Sequence, residues 1–222
     1  MRFVFIPGLG EEVSIFEKLH PLLKGEKIFV ENWELLREVP GEGLSAYSYA
    51  EFLIERFGIN RNDVIIGHSM GGWIALQIKQ IIGCLIIQIS SMTNLKKVPF
   101  YSFPNQGKYK LAKLGWGFNE LSLQVLLALY YKGKPSEKVF KSIFERLRVG
   151  NKEIVAKQLM VVFNPIPKPT TVSPNLRIHA KQDHIVRPPD ELYYQVPGDH
   201  FALWTYPKHV ANPINLILHL DN

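Results

Sequence analysis

The stretch VIIGHSMGGW, residues 64–73, runs an apolar segment into a serine spaced between glycines, with Gly67 before Ser69 and Gly71 and Gly72 after it. A turn that merely needs small residues explains the glycines. The same pattern also suits a nucleophile raised at the edge of a sheet. A serine hydroxyl is weak near neutral pH, so it needs a base within hydrogen-bond reach and a group to orient that base. Seven histidines are available. His20 falls in an expected helix, His209 and His219 lie at or in the terminal helix, and His179 is inside a strand. His68 adjoins the serine, where neighbouring side chains diverge, and reads as a pocket wall. His200, in the loop QVPGDHF after the last expected strand, is the best base. His184 competes, but it directly follows the best carboxylate and points away from it. That carboxylate is Asp183, in the loop after LRIHA. It stands at the carboxyl end of a strand, where sites of open α/β sheets gather. Asp199 is too close to His200 to orient it, Asp63 starts a strand at the opposite edge, and Asp190 and Glu191 follow two prolines as solvated surface.

Attack on a carbonyl also needs donors aimed at the oxygen that gains charge. The backbone N–H of Met70 is one expected donor, and the N–H of Leu9, in the bend IPGLG, is the other. Trp73, Trp116, Phe118, Tyr130 and Tyr131 are aromatic candidates for an acyl pocket, although each taken singly suits plain core.

These residues are placed by an alternation of strands and helices. RFVFI, KIFV, DVIIG, CLIIQIS, LRIHA and LYYQV read as strands, largely continuous in apolar residues, as in a parallel sheet covered on both faces. Between them, residues 11–25 carry Val13, Phe16, Leu19, Leu22 and Leu23 at helical spacing. A polar connection leads through Gly43 to a helix capped by Ser45 and stopped by Gly58. A further helix follows Ser69 directly. From 93 to 164 no strand is expected, only helices, with Asn119 and Ser136 as N-caps and Gly133 and Gly150 as stops. The organisation expected is a core of residues 1–92 and 165–222 with a helical cap insertion at 93–164. The terminal helix is expected from about Pro207 to Leu220, with Pro213 either kinking it or starting it.

Composition is that of an ordinary globular protein, with 46% hydrophobic and 21% charged residues among 222. The single cysteine, Cys84, lies in an apolar run and reads as a buried small hydrophobe. The net charge is +6, but the lysines are scattered, and no nucleic-acid-binding motif accompanies them. The opening apolar run stops at Pro7, too short for a secretory signal, and no stretch is long enough for a membrane span. A cytoplasmic protein is expected. Neither a metal-ligand cluster nor a dinucleotide fingerprint is visible, so no cofactor is expected.

Together FIPGLG, GHSMGG, IHAKQDHIV and VPGDHF resemble the oxyanion loop, nucleophile elbow, acid loop and histidine loop of the α/β-hydrolase family, in the chain order Ser69, Asp183, His200. Pro7 stands where a histidine is frequent. The resemblance covers residue 2 to about 92 and again about 176 to the end. It implies an α/β fold with a mostly parallel sheet, helices on both faces and a helical cap. It departs from the family in starting at the strand before the oxyanion loop, without the usual leading antiparallel strands. Only seventeen positions separate Asp183 from His200, so the helix usual there must shrink to a turn. The function implied is two-step hydrolysis of a small or medium ester or related acyl compound. A carbon–carbon hydrolase or lyase using the same residues, and a non-catalytic ligand-binding protein, are the rival readings.

Overall fold

Successive side chains of a strand point to opposite faces, so apolar runs such as RFVFI and DVIIGH need cover on both sides. A computed structural model describes residues 1–99, 101–115 and 117–219 and provides that cover. Six strands form one sheet: β1 (Arg2–Ile6), β2 (Glu26–Phe29), β3 (Asp63–His68), β4 (Leu85–Ile89), β5 (Leu176–Ala180) and β6 (Tyr194–Val196). Their order is β2-β1-β3-β4-β5-β6, and every pairing among the described residues is parallel. In β1, Phe3 and Phe5 join Ile66, Ile87 and Ile178 in one core cluster, whereas Val4 and Ile6 join Ile65 and Ile86 in another.

The helices are α1 (Asn32–Glu38), α2 (Ala46–Phe57), α3 (Met70–Ile82), α4 (Asn105–Lys113), α5 (Glu120–Leu126), α6 (Glu137–Val149), α7 (Lys152–Phe163), α8 (Ala202–Thr205) and α9 (Pro207–Ile217). The second cluster takes side chains from α1, α2, α3 and α7, and the first from α6, α8 and α9. Between β4 and β5 the described residues hold only helices and turns, as expected for 93–164. That segment is not detached from the sheet, because α7 packs against α1, α2 and α3. None of the described helices is long and apolar enough to cross a membrane.

Local chemistry explains most boundaries. Ser45 and Ser48 form a reciprocal capping box at the start of α2, and Gly58 closes that helix in the left-handed conformation at φ 56°. Asn119 caps α5 by accepting from the Ser122 N–H. Three expectations need correction. The helix over residues 11–25 is two short 3₁₀ turns, Val13–Phe16 and His20–Leu22, because Pro21 supplies no N–H to continue an α ladder. The connection before Gly43 contains α1. Ser136 stands at the N-cap position of α6, but its side chain accepts no backbone N–H there; it is turned to the buried Asp199 carboxylate, to which its hydroxyl donates at 2.5 Å. Of the two roles open to Pro213, starting the last helix is excluded, because α9 begins at Pro207 and holds Pro213 inside it. Leu220, the expected end of that helix, lies outside the described residues.

Candidate active site

The sheet reverses its direction of growth at β1, which has β2 on one side and β3 on the other, so the loops leaving β1 and β3 lie together at a topological switch point. Ser69 follows β3 there, with φ 52° and ψ −119°, a backbone state that L-residues adopt only under constraint. Its N–H donates to Ile89 O at 3.0 Å, and its carbonyl accepts from Gly72 N at 3.0 Å and Ser91 Oγ at 2.6 Å. The glycines are needed because of close approach: a Cβ on Gly71 would stand 1.9 Å from Ile6 O, and one on Gly67 2.3 Å from the Gly71 backbone.

Asp183 and His200 come together as expected, with His200 Nδ1 2.8 Å from Asp183 Oδ2. The other carboxylate oxygen, Oδ1, accepts the N–H groups of Ile185 and Val186 at 2.9 and 2.8 Å. Asp183 is 4% exposed and His200 2%. Burial alone would raise the Asp183 carboxyl, but the facing His200 and His179 rings overcome it and hold the group well below the usual carboxylate range. His179, set aside as a strand residue, is buried beside this pair. Its ring places Nε2 3.2 Å from Asp183 Oδ2 and 3.0 Å from Val186 O. The four-residue spacing of His179 and Asp183 across the strand end was the available signal.

The competing groups have other partners. His184 is exposed and lies against Tyr130, ring centroids 4.5 Å apart. Asp199 accepts from Ser136 and from the Phe201 N–H, Asp190 pairs with Lys97, and Glu191 pairs with Arg177. Asp63 pairs with Arg2 at the opposite edge.

Three buried side chains hold the loop after β1. Asn32 Nδ2 donates to Pro7 O at 3.0 Å, Gly8 N–H donates to Glu11 Oε2 at 2.6 Å, and Gly10 N–H donates to Gln158 Oε1 at 2.7 Å. The amide between those two glycines, on Leu9, has no acceptor among the described residues, and neither has that of Met70. The loop lies against the serine: a Cβ on Gly8 would be 2.9 Å from Ser69 Cβ. Asn32, Glu11 and Gln158 were not singled out from the sequence. Glu11 in particular looks there like its exposed neighbour Glu12.

His68 does not form a pocket wall. It is 0% exposed, with Nδ1 2.8 Å from both Glu11 carboxylate oxygens and Nε2 2.9 Å from the carbonyl of His200. Glu11, His68 and His200 thus converge in a group of the kind that can hold a cation. Both His68 nitrogens and His200 Nδ1 are already engaged, with Glu11, the His200 carbonyl and Asp183. Trp73 is buried in the second core cluster, Phe118 is half-buried against Phe144, and Trp116 lies outside the described residues. Tyr131, in a π-helical turn over Leu127–Tyr131, stacks on Phe140 with ring centroids 4.0 Å apart.

Ser69 itself is 8% exposed, and no hydrogen bond joins its hydroxyl to His200 among the described residues. Of two surface cavities, of about 770 and 410 Å³, the first opens beside Arg177 and Tyr194 and the second beside Glu11, Arg146 and Trp204; neither is lined by Ser69 or His200.

No protein-family model matches the chain, and no curated protein matches it in sequence. Solved structures do match. A hydrolase from Oleispira antarctica is similar over 99% of this chain and 91% of its own, with TM-score 0.71 and 14% identity. A thermophilic esterase from Thermogutta terrifontis is similar over 99% and 89%, with TM-score 0.69 and 14% identity. A peroxisomal alpha-beta-hydrolase from Saccharomyces cerevisiae is similar over 98% and 76%, with TM-score 0.62 and 18% identity. With six parallel strands, helices on both faces and a sharp turn after β3, the chain has the α/β-hydrolase fold.

Proposed function

We propose that the protein is a serine hydrolase that cleaves a small or medium carboxylic ester, or a related acyl compound, through an acyl-enzyme on Ser69. The observation that carries this reading is the buried Asp183–His200 hydrogen bond of 2.8 Å past the carboxyl ends of the same sheet that holds Ser69 in a strained turn. Asp183 accepts from Nδ1, which leaves His200 Nε2 as the atom that takes the Ser69 proton while Oγ bonds to the carbonyl carbon. Charge that moves to the carbonyl oxygen is met by the Leu9 and Met70 N–H groups and by the positive end of α3. His200 then protonates the leaving group, and in the second step it takes a proton from the water that attacks the acyl carbon. The ester linkage is replaced by an acid and an alcohol, with one water consumed.

The reading requires Ser69 Oγ to come within reach of His200 Nε2 when substrate binds. Such bonds are commonly long before binding and tighten in the complex. It also gives residues 93–164 the role of a cap, since Ser69 is nearly closed off and the segment from Tyr130 to Ser136 touches both the acid and the histidine loops. Similarity to an esterase from Thermogutta terrifontis and a thioesterase from Streptomyces coelicolor supports acyl transfer as the class.

The test is labelling by a fluorophosphonate probe, which phosphonylates an activated serine. Wild type is expected to label, Ser69→Ala to lose the label, and His200→Ala to label at least about 100-fold more slowly. A native, folded wild type that does not label, or a Ser69→Ala variant that still does, overturns the proposal.

A further inference from the structure

His68 and Glu11 contact no solvent to speak of, at 0% and 2% exposure, and both touch loops that the proposed reaction depends on. On one side Glu11 Oε2 accepts the Gly8 N–H at 2.6 Å, fixing the peptide next to the Leu9 amide. On the other, His68 Nε2 lies 2.9 Å from the backbone carbonyl of His200. Between them His68 Nδ1 sits 2.8 Å from each Glu11 oxygen. An unbroken set of three hydrogen bonds therefore runs from the loop after β1 to the loop after β6, through the residue adjoining Ser69.

The partners constrain the protonation. A backbone carbonyl only accepts, so Nε2 must carry hydrogen. With Glu11 as a carboxylate, which only accepts, Nδ1 carries hydrogen as well; a neutral ring facing a protonated Glu11 is the arrangement that the experiment below tells apart. We propose that Glu11 and His68 are positioning residues, a buried carboxylate–imidazolium pair that holds the Leu9 amide and the His200 imidazole in a fixed relation to each other. This rests on the serine hydrolase reading above for its catalytic consequence, but not for its protonation state. The ionisable groups that face the His68 ring are Glu11 on the loop after β1, Asp183 on the loop after β5 and His200 on the loop after β6, whose ring centroid is 4.8 Å away. Burial opposes the charge, and the adjacent carboxylates of Glu11 and Asp183 outweigh it, so the His68 ring holds its proton above the ordinary histidine range.

Neither residue touches the reacting atoms in this account. Their effect reaches the reaction through geometry, where small displacements of a catalytic group cost large factors in rate. Glu11→Gln is the informative variant because its amide keeps an acceptor for Gly8 N–H and offers a donor to His68 Nδ1, preserving shape while removing the charge.

The experiment is ¹⁵N NMR of histidine-labelled protein near pH 8, combined with kinetics on a p-nitrophenyl ester. In wild type the expected result is that both His68 nitrogens are protonated. In Glu11→Gln the ring becomes neutral with hydrogen on Nε2, the His200 Nδ1–H proton signal shifts, and kcat falls about 10-fold with KM within about 3-fold. Affinity for an alkyl boronate, which mimics the tetrahedral intermediate, falls in parallel with kcat. Glu11→Ala, which also frees the Gly8 N–H, loses about 100-fold. A singly protonated His68 in wild type overturns the proposal, as does a Glu11→Gln variant whose His200 signal, kcat and boronate affinity are unchanged. If the protein labels with no fluorophosphonate and hydrolyses no ester, the proposed function fails, yet the His68 and His200 signals still decide whether the pair exists and whether it positions the base.

Discussion

Two aspartates mark opposite edges of the same sheet, and each is buried against nitrogen donors. Asp63, at the start of β3, takes both nitrogens of a forked contact from Arg2, with Nε 2.8 Å from Oδ1 and a terminal nitrogen 2.6 Å from Oδ2. Asp183, beyond the end of β5, faces two histidine rings instead. Both carboxyls are held below the ordinary range, Asp63 by its hydrogen bonds to Arg2 and Asp183 by the rings that outweigh its burial. A guanidinium never gives up its proton under ordinary conditions, so the Asp63 pair can only hold strands together. An imidazole gains and loses a proton near neutrality, so the Asp183 pair can take part in proton transfer. The carboxyl edge of the sheet thus differs from the other edge less in charge than in whether its partners can change charge.

The largest effect expected of breaking this comparison is at Asp183. Asp183→Asn keeps an oxygen for the Ile185 and Val186 amides but leaves His200 in the wrong tautomer, and kcat on an ester is expected to fall by about 10³- to 10⁴-fold. A loss below about 10-fold would mean that the pair is structural, like the one at Asp63. The reciprocal change, Asp63→Asn, is expected to lower unfolding stability by about 1–3 kcal/mol in urea titrations while kcat per folded molecule stays unchanged. A selective loss of kcat there would erase the distinction between the edges.

A smaller effect is the pH dependence of stability. Both aspartates have folded values below the unfolded one, so their contribution is complete above about pH 4 and is lost as pH falls through the folded values. The gap in urea midpoint between wild type and Asp63→Asn is therefore expected to be full at pH 7 and to narrow in acid below pH 4. His68 has the opposite sign, since its folded value is raised. Its contribution is complete below about pH 6.5 and declines as pH rises through the folded value, so wild type is expected to lose on the alkaline side an increment of stability that Glu11→Gln does not lose. Parallel pH profiles for the two proteins would contradict that sign.

What the sequence disclosed and what it hid divide along one physical line. Ser69, Asp183 and His200 each stand just past a strand, and strands are local events written in runs of β-branched and apolar residues, so the strand-end position of each was legible. The order of the sheet brought the last two together as expected. Groups that act through long-range contact left no such mark. Gln158 reaches Gly10 across 148 positions, and His68 reaches the carbonyl of His200 across 132. Glu11 and Glu12 are adjacent and identical in type, yet one is buried against His68 and the other pairs with Arg146 at the surface. Nothing in their neighbourhood tells them apart. The helix expected over residues 11–25 failed for a related reason: apolar spacing gave the right buried residues, Phe16, Leu19 and Leu23 among them, but not the backbone that buries them.

Whether Ser69 carries the acyl group is read directly by intact-mass analysis of a rapidly quenched reaction with a p-nitrophenyl ester. The result expected is a gain equal to one acyl group, located by peptide mapping to the segment containing Ser69 and gone once the ester is consumed. Turnover with the adduct on another residue, or an ester left intact by protein whose native fold has been verified, would contradict it.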